Sequence, residues 1–189
     1  MRSILLSRRG LLGASAAGIA AFSHRPRAFA ASPPFRLTAG RRTLEVNGKS
    51  ASVFGITGPD GTPGVVLDPG QRFAVMLANQ AGEDTIVHWH GQTPPYLQDG
   101  VVETGGTLIA NGADQAYDFA ARPGTHWMHS HYGLQEQMLM AAPLIVRTAE
   151  DARADAQEVT VLLHDFTFRD PAEILAELGG HGAEMPGMA

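Results

Sequence analysis

The sequence predicts an all-β sandwich or barrel. Short apolar runs recur along it at even spacing, and turn signals rich in Gly and Pro separate them (22 Gly and 12 Pro in 189 residues). Within the runs, apolar residues alternate with period two, as a half-buried strand requires. Many short strands at regular spacing are the pattern of a sandwich or barrel.

Each element can be argued in order. Phe35-Arg36-Leu37-Thr38 and Thr43-Leu44-Glu45-Val46 read as two strands flanking an Ala-Gly-Arg turn. Asn47-Gly48 is a tight hairpin signal. Val53–Ile56 and Gly64–Leu67 are short apolar runs, and Asp68-Pro69-Gly70 marks a further turn. Gln71–Asn79 reads as a buried strand with Phe73, Val75 and Leu77 on one face, and Thr85–His90 as the next strand. Gln92–Thr107 is a Pro/Gly-rich loop without helical period. Gln115–Ala120, with Tyr117 and Phe119 on one face, Thr125–His131 and Pro143–Val146 complete the set. Met138 and Met140 read as core packing, and Glu150–Gln157 as a charged linker or surface turn. Val159–Leu163 begins a new apolar strand, and Pro171–Leu178 is a short helix with Pro in its first turn and Gly179-Gly180 stopping it.

Composition excludes several functions. The chain is 44% hydrophobic and 17% charged, with a formal net charge of -5, so nucleic-acid binding has no electrostatic support. There is no cysteine, which rules out disulfides, thiolate–zinc, iron–sulfur and thiolate–copper sites within these residues. Residues 1–30 read as an export signal: Ser7-Arg8-Arg9-Gly10-Leu11-Leu12 is a twin-arginine pattern, an apolar run extends to Phe22, and Ala28-Phe29-Ala30 is a cleavage site before Ala31. That run is too short for a stable membrane span, although an N-terminal anchoring helix is the alternative. Periplasmic or secreted localisation by the twin-arginine pathway follows, and His24 falls in the removed segment.

The chemistry concentrates in His88-Trp89-His90-Gly91 and His129-Ser130-His131. In a strand both histidines of a pair point the same way, with Cα atoms about 6.5–7 Å apart. That spacing suits two neighbouring ions better than one. Two such pairs on adjacent strands would set four imidazoles on one surface, and imidazole suits copper, zinc, iron and nickel. Trp127, His129 and His131 share a face, while His126, Met128 and Ser130 share the other, so His126 points away from the set.

Thr85-Ile86-Val87-His88-Trp89-His90-Gly91, then Asp99-Gly100-Val101, then Gly124-Thr125-His126-Trp127-Met128-His129-Ser130-His131 resemble the N-terminal cupredoxin domain of multicopper oxidases. This family includes laccases, cuprous oxidases and bacterial copper-resistance oxidases. The resemblance covers roughly residues 40–148, and Leu162–Phe166 looks like the start of the family's second domain. It implies a cupredoxin-like Greek-key β-sandwich over 35–148, with 149–189 as linker and truncated start of a second cupredoxin domain. Family members couple one-electron oxidation of substrate to reduction of dioxygen to water. A type 1 copper, held by Cys, two His and usually Met, receives the electrons. A trinuclear cluster of type 2 and type 3 coppers, between the first and last domains, reduces the oxygen. By resemblance, His88 ligates the type 2 copper, His90 one type 3 copper, and His129 and His131 the type 3 pair, one copper each. Asp99 matches an acidic residue that supplies protons through water; its plain alternative is a turn residue before Gly100. Trp89 and Trp127 would pack against the histidines and hold them.

The chain departs from the family where electrons would enter. Without Cys it has no type 1 site, and its other histidines, His164 and His181 among them, form no further His-x-His. The expected function is therefore copper binding by the N-terminal portion of a multicopper oxidase, from a truncated, split or incomplete reading frame, inactive as this chain alone. Its partners would be copper ions, dioxygen and the missing C-terminal domains in cis or in trans, with no nucleic acid and no stable membrane span. The alternative is a non-enzymatic periplasmic copper-binding module using the four histidines, with Met185 and Met188 as candidate further ligands. A weaker third reading is a mononuclear zinc hydrolase, which needs three or four ligands converging on one point.

Overall fold

Strands form where the sequence alternates, and a computed structural model describes them within residues 34–154 and 156–181. The export signal expected in residues 1–30, and Met185 and Met188, lie outside the described residues. The strands are β1 (Phe35–Val46), β2 (Lys49–Thr57), β3 (Val65–Leu67), β4 (Arg72–Gln80), β5 (Val87–His90), β6 (Asp114–Ala120), β7 (Gly124–Ser130) and β8 (Ala141–Val146). They make two four-stranded sheets, ordered β2-β1-β4-β6 and β3-β8-β7-β5. The pairs β1–β4 and β3–β8 are parallel, and all others antiparallel.

One apolar core lies between the sheets. Leu37, Phe54, Phe73, Val75, Leu77, Tyr117 and Phe119 come from one sheet, and Val65, Leu67, Val87, Trp89, Met128, Leu144 and Val146 from the other. Trp89 is its largest fully buried side chain. It meets Phe73 at 4.7 Å and Tyr117 at 4.8 Å between ring centroids, and Phe73 stacks on Phe119 at 4.6 Å. Met140 is also in this core and Met138 packs against it. Truncating a side chain such as Trp89 to Ala costs about 3–5 kcal/mol in packing of this kind.

Three local expectations are corrected. Ala39-Gly40-Arg41 is no turn: β1 runs unbroken through it. The tripeptide has partners on both sides, Ala39–Arg41 opposite Phe54–Ile56 of β2 and Ala39–Gly40 opposite Asn79–Gln80 of β4, and these ladders override its turn propensity. The hairpin at Asn47-Gly48 is present, both residues having positive φ (51° and 77°) as the type I′ turn demands. Val159–Leu163 forms no strand; with no ladder partner, Val159, Val161 and Leu163 stay 73–87% exposed. Finally, the C-terminal helix, α1, spans Pro171–His181 and is not stopped by Gly179-Gly180. Glycine weakens a helix by about 1 kcal/mol per residue but does not forbid it.

The Gln92–Thr107 loop contains two single 3-10 turns, Tyr96–Gln98 and Val102–Thr104. Its Gly100 has φ 77°, and its Cα sits so close to the Val87 carbonyl that a Cβ would collide with that oxygen. Only glycine permits this approach. It brings Asp99 against β5, and the Trp89 indole N–H, donating to the Gln98 carbonyl at 3.0 Å, ties the same loop to the core.

Candidate metal centre

The pleat of β5 sends Val87 and Trp89 into the core and His88 and His90 to the opposite face. On β7 the same alternation buries Met128 in the core and leaves Trp127 and His129 beside the β5 histidines. The two strands are antiparallel neighbours with His88 directly opposite His129. His131 follows one residue beyond β7, its backbone N–H donating to the Ile86 carbonyl at 3.1 Å.

All four predicted histidines meet. The His88 ring centroid lies 5.6 Å from that of His90, 5.7 Å from that of His129 and 5.3 Å from that of His131. His129 lies 5.6 Å from His90 and 4.9 Å from His131. Among the described residues no three such ligands close on a single ion.

Ring orientation is fixed from behind. His88 Nδ1 lies 2.8 Å from the Asp99 carbonyl oxygen, which can only accept, so Nδ1 carries the proton. The Asp99 carboxylate is close too, Oδ1 lying 3.6 Å from the same nitrogen. Asp99 is thus both the turn residue before Gly100 and a neighbour of the cluster. His129 Nδ1 lies 3.0 Å from Glu136 Oε2, and its Nε2 faces His90 Nδ1 at 3.4 Å. Trp127 stacks on the His129 ring at 4.1 Å and 11°. Burial holds the His129 imidazole below the ordinary histidine range; the Glu136 carboxylate pulls it back up, while His131 and His88 push it further down. A neutral imidazole is the form that ligates metal.

His126 is excluded from the group, as its face predicts. Its Nε2 lies 3.2 Å from the Pro123 carbonyl, and its ring fills the space that a Cβ at Gly91 would enter. The sequence reading missed Glu136 and Gln135. Gln135 is buried and collects Thr85 Oγ1 and Ser130 Oγ on its side-chain oxygen, both at 2.7 Å. Its amide donates to Glu83 Oε1 and the Asp84 carbonyl at 3.0 and 2.8 Å. One polar pair in an irregular segment gives no periodicity to find; the only local clue was a carboxylate shortly after a His-x-His.

A family profile described as multicopper oxidase matches residues 38–151 of the chain. The chain belongs to the multicopper oxidase family. Copper resistance protein A homolog of Pseudomonas syringae pv. tomato is 33% identical over 148 residues, covering 76% of this chain and 25% of that protein. Copper resistance protein A of Escherichia coli is likewise 33% identical over 148 residues, covering 76% of this chain and 24% of its own length. The crystal structure of McoA multicopper oxidase from Aquifex aeolicus superimposes with a TM-score of 0.55 at 29% identity, over 63% of this chain and 27% of that one. The fold is thus the expected cupredoxin-like β-sandwich. The chain spans about a quarter of the length of the curated relatives it matches. Copper is the cofactor of multicopper oxidases, and the donor set here fits it: imidazole nitrogens suit copper, and His88 and His129 each have Nδ1 engaged, as ligating histidines do.

Proposed function

We propose that His88, His90, His129 and His131 are the N-terminal half of a trinuclear copper site, and that this domain contributes to a dioxygen-reducing oxidase. The observation that carries this reading is the meeting of four imidazoles, from two His-x-His pairs on neighbouring strands, on one face. Such an arrangement suits neighbouring ions whose coordination other donors complete. His88 serves the type 2 position, His90 a type 3 position, and His129 and His131 one type 3 position each. His90 Nδ1 and His129 Nε2, 3.4 Å apart, face each other as two ligands of one ion do.

Copper bound there would supply the one-electron chemistry of the family. The chain's own residues hold and orient: the Asp99 carbonyl fixes His88, and the Asp99 carboxylate, with Oδ1 3.6 Å from His88 Nδ1, is placed to pass protons through water toward the histidine face. Exposed Tyr96, Leu97 and Val102 lie on the loop after His90, and Tyr132 adjoins His131. They are exposed apolar side chains that a further domain, in cis or in trans, could cover. The uncovered Val159, Val161 and Leu163 also fit a segment that pairs within a larger protein. Export rests on the twin-arginine pattern of residues 1–30. Among the described residues no helix is long and apolar enough to cross a membrane.

The absence of cysteine favours a second reading, a copper-binding module without turnover of its own. Cupric-ion titration followed by calorimetry tests the ligand assignment common to both. His88→Ala and His129→Ala should each lower affinity far more than His126→Ala. Equal losses at all three would show that the His-x-His face is not the site.

A further inference from the structure

We infer that Glu136 is the positioning carboxylate of this copper site: it accepts a hydrogen bond from the Nδ1–H of His129 and so presents Nε2 to the metal. The inference rests on the reading of His129 as a copper ligand, and goes beyond it by assigning the residue that sets its tautomer and orientation. An ionised carboxylate can only accept, so the 3.0 Å contact between Glu136 Oε2 and His129 Nδ1 requires an N–H on Nδ1. The proton-free Nε2 then faces His90 Nδ1. Trp127, stacked on the ring, sets its plane, and Glu136 sets which edge points outward.

The position of Glu136 is built by its surroundings. The preceding residue, Gln135, is 2% exposed, and its side chain is held by Thr85, Ser130, Glu83 and Asp84. Behind it the chain closes on itself. Leu139 N–H donates to the Glu136 carbonyl at 2.8 Å, and Met140 N–H to the Gln135 carbonyl at 2.9 Å. This closure places Leu139 at φ 68°, a left-handed conformation that a bulky L residue rarely adopts. Leu139 and Met140 are both buried, so packing holds the turn. Glu136 therefore approaches His129 from a rigid base. Carboxylate partners of this kind fix the tautomer of a ligating histidine and raise its basicity.

The full chain is compared with Glu136→Ala by two measurements. In the metal-free protein, nitrogen-detected NMR of the imidazoles reports the tautomers at a pH where they are neutral. His129 should be the Nδ1–H form in the parent chain and shift toward Nε2–H in Glu136→Ala. His88, whose Nδ1 faces the Asp99 carbonyl, should be unchanged and so reports an intact fold. Titration with cupric ion alone should then show affinity falling about 10- to 100-fold in Glu136→Ala. A parent His129 in the Nε2–H form overturns the inference, and so does undiminished cupric affinity in Glu136→Ala. If Glu136→Ala does not fold, Glu136→Met, which keeps the bulk and removes the carboxylate acceptor, takes its place, and cupric affinity equal to the parent's overturns the inference. If His129→Ala itself leaves cupric affinity intact, it is the ligand assignment that fails; if His129→Ala weakens binding and Glu136→Ala does not, only the role of Glu136 fails.

Discussion

Tyr117 shows how burial of one polar tip makes stability depend on pH. Its ring packs edge-on to Trp89 in the core, and burial pushes its phenol from 10.0 up to about 12. Above pH 10 an unfolded chain releases this proton while the folded protein keeps it, so the unfolded state gains. The stabilisation is complete below pH 10 and is lost as pH rises toward 12, by about 3 kcal/mol for a shift of this size. Denaturant unfolding between pH 9 and pH 12, roughly the titration window, should show that slope in the parent and a shallower one in Tyr117→Phe. Parallel slopes would mean that another group governs alkaline unfolding. At the site, residue identity matters in the same local way. Trp89 and Trp127 both pack as anticipated, but differently: Trp89 pins the backbone between two histidines from inside the core, whereas Trp127 covers a histidine ring directly.

Among the elements, the loop between β5 and β6 decides how well the site is held. Gly100 combines a positive φ with direct contact against the Val87 carbonyl. Gly100→Ala should cost roughly 3 kcal/mol or more, from backbone strain plus a steric clash that no side-chain rotation relieves. Gly70 has a similar φ of 75° but open space around its Cα, so Gly70→Ala should lose only about 1–2 kcal/mol. Chemical denaturation of the two variants checks the ranking, and equal losses would discredit the role of the close approach. Gly100→Ala should also weaken cupric binding, because it displaces the Asp99 carbonyl from His88. Much at this scale was legible in the sequence. Seven of the eight strands were anticipated to within a few residues, since alternation and turn chemistry act locally. The exception, β1, was divided in two because the ladders that hold Ala39–Arg41 extended come from β2 and β4, distant in sequence or visible only after pairing. Val159–Leu163 erred the other way: its apolar β-branched run has the propensity of a strand but no neighbour to bond.

For the molecule as a whole, the question is what this chain does alone. It has four histidines on one face and no thiolate. We expect the purified chain, supplied with copper, to show no sustained oxygen uptake with a phenol or with cuprous ion in an oxygen-electrode assay. Continued turnover at catalytic protein concentration would refute the need for a separate electron-accepting site. The oxygen-electrode assay and a cupric titration together test turnover and copper binding separately, the latter at the four-histidine face.

The sequence by itself determined the all-β class, most of the strands and the facing of each His-x-His pair, because strand pleat and turn sterics operate over a few residues. It also marked His126 as pointing away, by the same period of two. Tertiary structure alone decided that β5 and β7 are neighbours in the register that sets His88 opposite His129. It alone brought the Asp99 carbonyl and the Glu136 carboxylate behind those rings. These contacts depend on loop closure, on a left-handed Leu139 and on a glycine pressed against a carbonyl. Such features are stabilised by packing between segments that no local pattern connects.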